Sequence, residues 1–238
     1  MQRWLTMSAA ALGRAIAKGD IDPVDLAQTY LDAIDAHPFR SRIYTIVMRD
    51  RALAEAQAAS ERARLGQRKS ALDGVPVSWK DLFDSANVAT EAGSVLLENR
   101  TPTADCEVLR CATELGLVCL GKTHLSELAF SGLGYNPRTA TPPCVNDHDA
   151  VSGGSSSGAA ASVAFGLAPL AIGSDTGGSV RIPAAWNDLV GLKTTSGRLS
   201  LEGWFHFARA LTRLGRCADR LRMRLWRLRL WKAVNPRI

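Results

Sequence analysis

Two serine clusters flanked by glycine carry the clearest chemical signal in the sequence. The segment GGSSSGAAASVAFGLAPLAIGSDTGGSVRIPA spans residues 153–184, with Ser155 in the first cluster and Ser179 in the second. Glycine lets the backbone adopt positive φ angles and approach a ligand closely. In residues 175–179, successive backbone N–H groups stand beside a serine hydroxyl. This combination predicts a nucleophile that attacks a carbonyl and donors that hold the resulting oxyanion.

A flexible glycine–serine linker is the simplest alternative for this segment. Residues 159–165, between the two clusters, are small and compatible with a helix, and residues 168–172 predict an apolar strand. Flexible linkers have no such internal alternation of helix and strand. The composition therefore favours a folded segment with a chemical role.

The elements that must position these serines alternate along the chain. Ser8 and Asp22 are predicted helix N-caps, and Gly19 is a predicted C-cap. Further helices are predicted at residues 51–65 and 105–115, and strands at residues 43–48, 75–79, 117–120, 168–172 and 189–192. Lys80 directly follows one of these strands, and residues 132–152 form a long loop. The pattern predicts an α/β fold with a mixed β-sheet covered by helices.

These segments resemble the amidase signature enzymes. Residues 153–184 fit the long signature pattern of that family without a gap. GVPVSWKDLFD, at residues 74–84, resembles its lysine motif, and GKTHLSELAF, at residues 121–130, resembles its next block. The separations of 75 positions between Lys80 and Ser155 and 24 between Ser155 and Ser179 also agree. The resemblance covers residues 5–203 and implies a mixed sheet with helices on both faces, incomplete in its C-terminal half.

The resemblance also implies a Ser–Ser–Lys catalytic triad. Ser179 would be the nucleophile and form an acyl-enzyme, and Ser155, in a cis peptide, would bridge Ser179 to Lys80. Lys80 would be the base. A lysine base must be neutral, so burial has to lower its pKa well below the value of ~10.4 for a free lysine.

Other residues of the same segment receive roles by the same resemblance. The implied oxyanion hole consists of the backbone N–H groups of Thr176, Gly177, Gly178 and Ser179. Ser156 is a candidate substrate-binding residue, and its alternative role is to fill space. Ser157 is expected to fill space. Asp175 and Arg181 are expected to brace the loop. Neither a cofactor nor a metal is implied.

Two other motifs match formally. Residues 116–123 fit the phosphate-binding pattern G-x-x-x-x-G-K-[ST], but the middle of that pattern should form a loop and here it predicts a strand. Lys122 is therefore expected to be a charge at a strand end. Residues 154–158 fit the G-x-S-x-G elbow of α/β-hydrolases, which needs a downstream acid and then a histidine. The only downstream histidine is His206, in the anomalous tail that begins at Trp204, which argues against this interpretation.

The composition limits which binding partners and which cellular compartment the sequence favours. Ten of the 29 Lys and Arg residues and one of the 23 acidic residues lie from Trp204 onward, which leaves residues 1–203 with 19 basic and 22 acidic residues. The body is thus mildly acidic, which argues against nucleic acid as a partner.

Five cysteines without a C-x-x-C pair fit a reducing cytoplasm and argue against zinc. No apolar stretch reaches the ~20 residues that span a membrane. The sequence does not determine the oligomeric state.

Residues 204–238 form a basic tail without a clear helical or strand period. We interpret it as an out-of-frame translation after a frameshift, with a basic amphipathic helix as the alternative. Family members continue with a second half that supplies more of the sheet and the substrate pocket. The chain is therefore expected to hold the catalytic residues but to have little activity alone.

The leading hypothesis is an amidase that hydrolyses the C–N bond of a small carboxamide. Within the family, the alternative is the amidotransferase subunit that uses glutamine in tRNA-dependent synthesis. A hypothesis from a different class is a non-catalytic remnant that binds nucleic acid or membrane through the tail.

Overall fold

A computed structural model describes residues 2–203 and 214–218 of the chain. In this part the α-helices are α1 (Ala9–Lys18), α2 (Pro23–Ala36), α3 (Arg40–Ile43), α4 (Arg49–Arg64), α5 (Glu107–Glu114), α6 (Ser157–Ala164) and α7 (Arg181–Trp186). The strands are β1 (Tyr44–Val47), β2 (Pro76–Lys80), β3 (Val118–Thr123), β4 (Leu170–Ser174), β5 (Val190–Lys193) and β6 (Leu214–Ala218). Short 3₁₀ helices occur at Gln2–Thr6, Val95–Leu97 and Glu127–Ala129.

Both α1 and α2 begin, and α1 ends, where local chemistry predicts. The Ser8 hydroxyl accepts a hydrogen bond from the Ala11 N–H at the start of α1, and Gly19 ends the helix with a φ of 76°. Asp22 caps α2 by accepting a hydrogen bond from the Val24 N–H, with Pro23 in the first helical position. These N-caps and this C-cap are confirmed.

The six strands form one mixed sheet in the order β1-β3-β2-β4-β6-β5. The central strands β3, β2 and β4 are parallel, whereas β1 pairs antiparallel with β3 and β6 pairs antiparallel with both β4 and β5. Helix α6 packs on the central strands, and α2 and α4 pack on β3. The predicted α/β fold with a mixed sheet is confirmed.

The core lies where these helices meet the central strands. Its largest fully buried apolar side chains include Trp79 on β2, Tyr30 on α2 and Leu12 on α1. Helix α6 consists of small residues, and its first seven are all buried. Because small side chains let the helix backbone approach the sheet closely, α6 brings the preceding serine cluster directly over the strand ends.

Strand β6 was not predicted from the sequence. It lies in the basic tail and inserts between β4 and β5, with Ala171 and Gly191 both in register with Cys217. A strand forms in this position because its two neighbours offer unpaired backbone N–H and C=O groups at their edges. The local sequence period does not reveal these partners. The rest of the predicted tail, residues 204–213 and 219–238, lies outside the described residues.

Candidate active site

The candidate site lies where the parallel strands β2 and β4 end. Ser78 and Trp79 on β2 are in register with Ala171 and Ile172 on β4. Because parallel strands run in the same direction, their C-terminal residues, Lys80 and Ser174, reach the same edge of the sheet. The buried strands of α/β proteins commonly present functional residues at this edge.

Lys80 is fully buried and makes two side-chain hydrogen bonds. Its Nζ lies 2.7 Å from Ser155 Oγ and 2.8 Å from Ser174 Oγ. Burial lowers the pKa of Lys80 to about 7, and the more distant charges of Asp175 and Cys217 only partly oppose this effect. A substantial fraction of the amine is therefore neutral near pH 7, as a general base requires.

The backbone around Ser155 is fixed on both sides. The peptide bond between Gly154 and Ser155 is cis. The Gly154 N–H donates to the Gly132 carbonyl at 2.7 Å, and the Ser155 carbonyl accepts from the Ser126 N–H at 3.2 Å. A Cβ on Gly154 would lie 2.5 Å from the backbone nitrogen of Gly134, so only glycine fits there. These contacts hold the Ser155 hydroxyl over the Lys80 amine.

Asp175 organises the loop that carries Ser179. Its carboxylate accepts hydrogen bonds from the Gly178 N–H at 2.9 Å and the Val180 N–H at 3.1 Å, on either side of Ser179. Arg181 adds a bidentate ion pair through Nε at 3.0 Å and Nη2 at 2.9 Å. Burial alone would raise the pKa of Asp175, but the hydrogen bonds from Arg181 and the backbone outweigh it, so the pKa is lowered. The geometry thus gives Asp175 and Arg181 the expected bracing contacts.

The four N–H groups of the predicted oxyanion hole differ in their surroundings. The Gly178 N–H is engaged by Asp175, so it is not available to a substrate oxyanion in this conformation. The N–H groups of Gly177 and Ser179 have no hydrogen-bond partner within residues 2–203 and 214–218. Gly177 is exposed and a Cβ there would meet open space. The donors that remain open to a ligand therefore lie at Gly177 and Ser179.

Ser156 and Ser157 are buried and their hydroxyls are used inside the protein. Ser156 Oγ donates to the Ser174 carbonyl at 3.1 Å, and Ser157 Oγ donates to the His124 carbonyl at 3.4 Å. Ser156 also donates its N–H to the Ser179 carbonyl at 3.0 Å, which holds the two serine clusters together. These contacts favour the space-filling alternative for Ser156 over direct substrate binding.

Lys80 and Ser155 are in hydrogen-bond contact, but Ser179 does not join them in one continuous hydrogen-bonded chain within the described residues. Lys80 reaches Ser155, whereas no hydrogen bond joins the hydroxyls of Ser155 and Ser179 in the described part of the chain. The backbone bond between Ser156 and Ser179 nevertheless makes the two clusters neighbours. Catalytic hydrogen bonds are often long or open without substrate and tighten in the substrate complex.

Sequence reasoning missed Ser174 as a partner of Lys80. Ser174 ends β4 and directly precedes Asp175, within the segment that drew attention to Ser179. Its relevance depends on β4 lying next to β2, and strand order is not encoded in local periodicity. The available signal was a hydroxyl two positions after the strand predicted at residues 168–172.

Lys122 lies one residue before the end of β3, close to the strand end where it was expected. Its side chain is fully buried and pairs with Asp81 at 2.6 Å between Nζ and Oδ1. A charged lysine in the interior requires such a partner. Residues 118–123 form a strand and leave no loop for a phosphate, in agreement with the interpretation of the G-x-x-x-x-G-K-[ST] match.

Metal-binding clusters and membrane-spanning helices do not occur among the described residues. Within residues 2–203 and 214–218, no group of three or more His, Cys, Asp and Glu side chains is arranged to hold a metal ion. Among the helices of that part of the chain, none combines the length and apolar character needed to cross a bilayer.

The comparisons with known proteins identify the family. The Amidase family model matches residues 25–224, so the match continues past Gly203, where the motif resemblance ends. The chain belongs to the amidase family. The native peptide amidase from Stenotrophomonas maltophilia, known from an X-ray structure, matches with a TM-score of 0.84 and 35% identity, over 90% of this chain and 45% of that chain.

Curated relatives fall into two groups by name. The A subunit of a glutamyl-tRNA(Gln) amidotransferase from Thermobifida fusca is 42% identical over 213 residues, which cover 89% of this chain and 42% of the relative. A "Putative amidase AmiB2" from Mycobacterium bovis is 42% identical over 198 residues, which cover 82% of this chain and 42% of the relative. The chain thus spans less than half the length of these proteins.

Proposed function

We propose that the chain carries the base, proton relay and nucleophile of an amidase that hydrolyses the C–N bond of a carboxamide through an acyl-enzyme. The observation that carries the proposal is the fully buried Lys80 amine, 2.7 Å from Ser155 Oγ, with a pKa lowered to about 7. A buried lysine whose amine contacts no carboxylate contributes little to stability and is suited to act as a base. The names of the relatives support the same class of reaction.

The proposed reaction proceeds by transfer of an acyl group to Ser179. The Ser179 oxygen attacks the amide carbonyl, and its proton passes to Ser155 Oγ while the Ser155 proton passes to the neutral Lys80 amine. The N–H groups of Gly177 and Ser179 stabilise the oxyanion. The same relay then returns a proton to the leaving nitrogen as the C–N bond breaks. Water cleaves the acyl-enzyme and releases a carboxylic acid.

Ser174 gives the lysine a defined orientation in this scheme. A neutral amine has two N–H donors and one lone pair. If an N–H of Lys80 donates to Ser174 Oγ, at 2.8 Å, the lone pair is available to the Ser155 hydroxyl at 2.7 Å. The relay requires this direction, because the base must accept a proton from Ser155.

Release of ammonia tests the proposal. The purified chain is incubated with a panel of aliphatic and aromatic carboxamides, and ammonia is measured against Ser179→Ala and Lys80→Met. Because the chain is expected to have little activity alone, we expect slow ammonia release from the wild-type chain and release at the background rate from both variants. Equal ammonia release by wild type and Ser179→Ala would refute the assignment of the nucleophile.

A second candidate substrate is the side-chain amide of glutamine. The observation that favours it is the 42% identity to the amidotransferase subunit from Thermobifida fusca. The chemistry at Lys80, Ser155 and Ser179 would be unchanged, with ammonia passed to an acceptor instead of released. Glutamine in the same assay, run without an acceptor so that the ammonia is released, separates the candidates, because an amidotransferase subunit hydrolyses glutamine in preference to the other carboxamides.

A further inference from the structure

A second buried lysine lies one strand away from Lys80. Lys122 on β3 has no exposed surface, and its Nζ lies 2.6 Å from Asp81 Oδ1 and 3.0 Å from the Ala89 carbonyl. Its amine also contacts the Thr90 hydroxyl. The two lysines differ in their partners, since Lys80 contacts serine hydroxyls and Lys122 contacts a carboxylate.

The Lys122 side chain lies on the opposite face of the sheet from Lys80. Register places Trp79 beside Lys122 and Lys80 beside Thr123. Successive side chains of a strand point to opposite faces, and residues in register share a face. The Asp81–Lys122 pair therefore does not contact the serine cluster, and any effect on the reaction must pass through the backbone of β2.

Asp81 is the residue next to Lys80 and is held by several bonds at once. Its N–H donates to the Thr123 carbonyl at 2.9 Å, and its carbonyl accepts from the Ala92 N–H at 3.0 Å. Its Oδ2 accepts from the Glu91 N–H at 3.2 Å, while Oδ1 faces Lys122 without a well-aligned hydrogen bond. The ion pair thus joins the end of β2 to β3 and to the segment at residues 89–92.

A buried ion pair is a poor way to gain stability. Desolvation of two charges costs several kcal/mol per ion, and well-packed apolar residues of similar volume are often equally stable or better. Burial raises the pKa of the Asp81 carboxyl, and the charge of Lys122 opposes this effect. An ion pair of this kind next to a proposed base therefore contributes more to the position of that base than to the stability of the fold.

We infer that the buried Asp81–Lys122 pair is a positioning device for Lys80, which fixes the end of β2 so that the Lys80 amine stays within hydrogen-bond distance of Ser155. The inference rests on the proposed function of Lys80 as the base. A displacement of ~1 Å at a reacting group costs about 10²-fold in rate. Loss of the pair therefore slows the reaction of Ser179 in molecules that remain folded.

The test measures the reaction of Ser179 with an alkyl fluorophosphonate. The labelling rate constant at saturating probe is determined per folded molecule, with the probe concentration at half-saturation fitted separately. In Asp81→Asn we expect this rate constant to fall about 10- to 100-fold, with little change in the half-saturating concentration. Asp81→Asn leaves the charge of Lys122 uncompensated, so the double variant Asp81→Asn/Lys122→Met, which has neither charge, is measured in parallel.

Asp73→Asn is the matched control. Asp73 is also buried, also forms an ion pair, with Arg62 at 2.6 Å, and lies before the opposite end of β2. We expect Asp73→Asn to lower the unfolding temperature but to label at the wild-type rate per folded molecule. The double variant is expected to regain stability and to remain slow.

The outcomes distinguish failure of the proposed function from failure of the positioning role. If wild type is not labelled at Ser179, the proposed function fails. If wild type is labelled and the double variant reacts within about twofold of wild type and Asp73→Asn, the proposed function stands and the positioning role is overturned. A slow double variant beside a fast Asp73→Asn control supports the positioning role.

Discussion

Replacement of Lys80 by methionine is expected to stabilise the fold at neutral pH, because the buried amine opposes folding. Burial lowers the pKa of Lys80 to about 7 in the folded chain, whereas an unfolded lysine has a pKa of ~10.4. Between these two values the unfolded chain binds more protons than the folded chain, so the free energy of unfolding rises with pH. Lys80→Met removes this dependence.

The magnitude follows from the two pKa values. Each pKa unit corresponds to ~1.36 kcal/mol. The penalty that Lys80 imposes on folding is constant below pH 6, because both states are then protonated. From pH 7 to pH 9 the penalty falls by about 2 kcal/mol, so wild type gains that amount of stability relative to Lys80→Met.

Urea unfolding of both proteins at pH 5.5, 7, 8 and 9 measures this difference. Comparison with the variant cancels the titration of the other ionisable groups. The two groups that act on Lys80 do not change charge in the folded chain over this range, because the pKa of Asp175 is lowered and burial raises the pKa of Cys217 to about 12. We expect Lys80→Met to be more stable at pH 5.5 and 7, and its advantage to shrink steadily above pH 7. A difference that stays constant from pH 5.5 to 9 would refute the lowered pKa and, with it, the assignment of Lys80 as a base at neutral pH.

Three further substitutions probe the surroundings of the site. Ser174→Ala removes one of the two hydroxyls that contact Lys80; loss of about 1 kcal/mol of hydrogen bonding is expected to slow fluorophosphonate labelling of Ser179 about fivefold, and an unchanged rate would contradict the proposed orientation of the amine. Asp175→Asn removes the charge that binds Arg181 and the N–H groups beside Ser179. Because the loop then loses charge-assisted hydrogen bonds, we expect fluorophosphonate labelling of Ser179 to slow at least ~10-fold. Asp73→Asn is the control. Gly154→Ala places a Cβ 2.5 Å from a backbone nitrogen; thermal unfolding should show a destabilisation of ~1–3 kcal/mol or more, and a wild-type melting temperature would show that the segment at Gly134 can move away.

The sequence allowed good prediction of features that depend on neighbouring residues. Ser8, Gly19 and Asp22 act as caps because capping needs only a side chain or a glycine at the right local position. Lys80 lies at the end of β2, as the apolar run before it predicted. The resemblance to the amidase signature enzymes implied a contact between Lys80 and Ser155, 75 positions apart, which the structure contains.

Features that depend on strand order were not predictable in the same way. Ser174 contacts Lys80 because β4 is the neighbour of β2, and Lys122 is buried because β3 is the neighbour on the other side. The position of β6 between β4 and β5 has the same cause. Local periodicity defines where a strand occurs and leaves its neighbours undetermined, so these partners became visible only in the folded sheet.

The central claim is that Lys80, through Ser155, activates Ser179 as a nucleophile. Its most direct test is the mapping of an alkyl fluorophosphonate adduct by mass spectrometry of peptides from wild type, Ser179→Ala and Lys80→Met. We expect one adduct, on Ser179, in wild type, none at that site in Ser179→Ala, and labelling slowed by ~10²-fold or more in Lys80→Met. An adduct on another residue, or equal labelling rates in wild type and Lys80→Met, would contradict it.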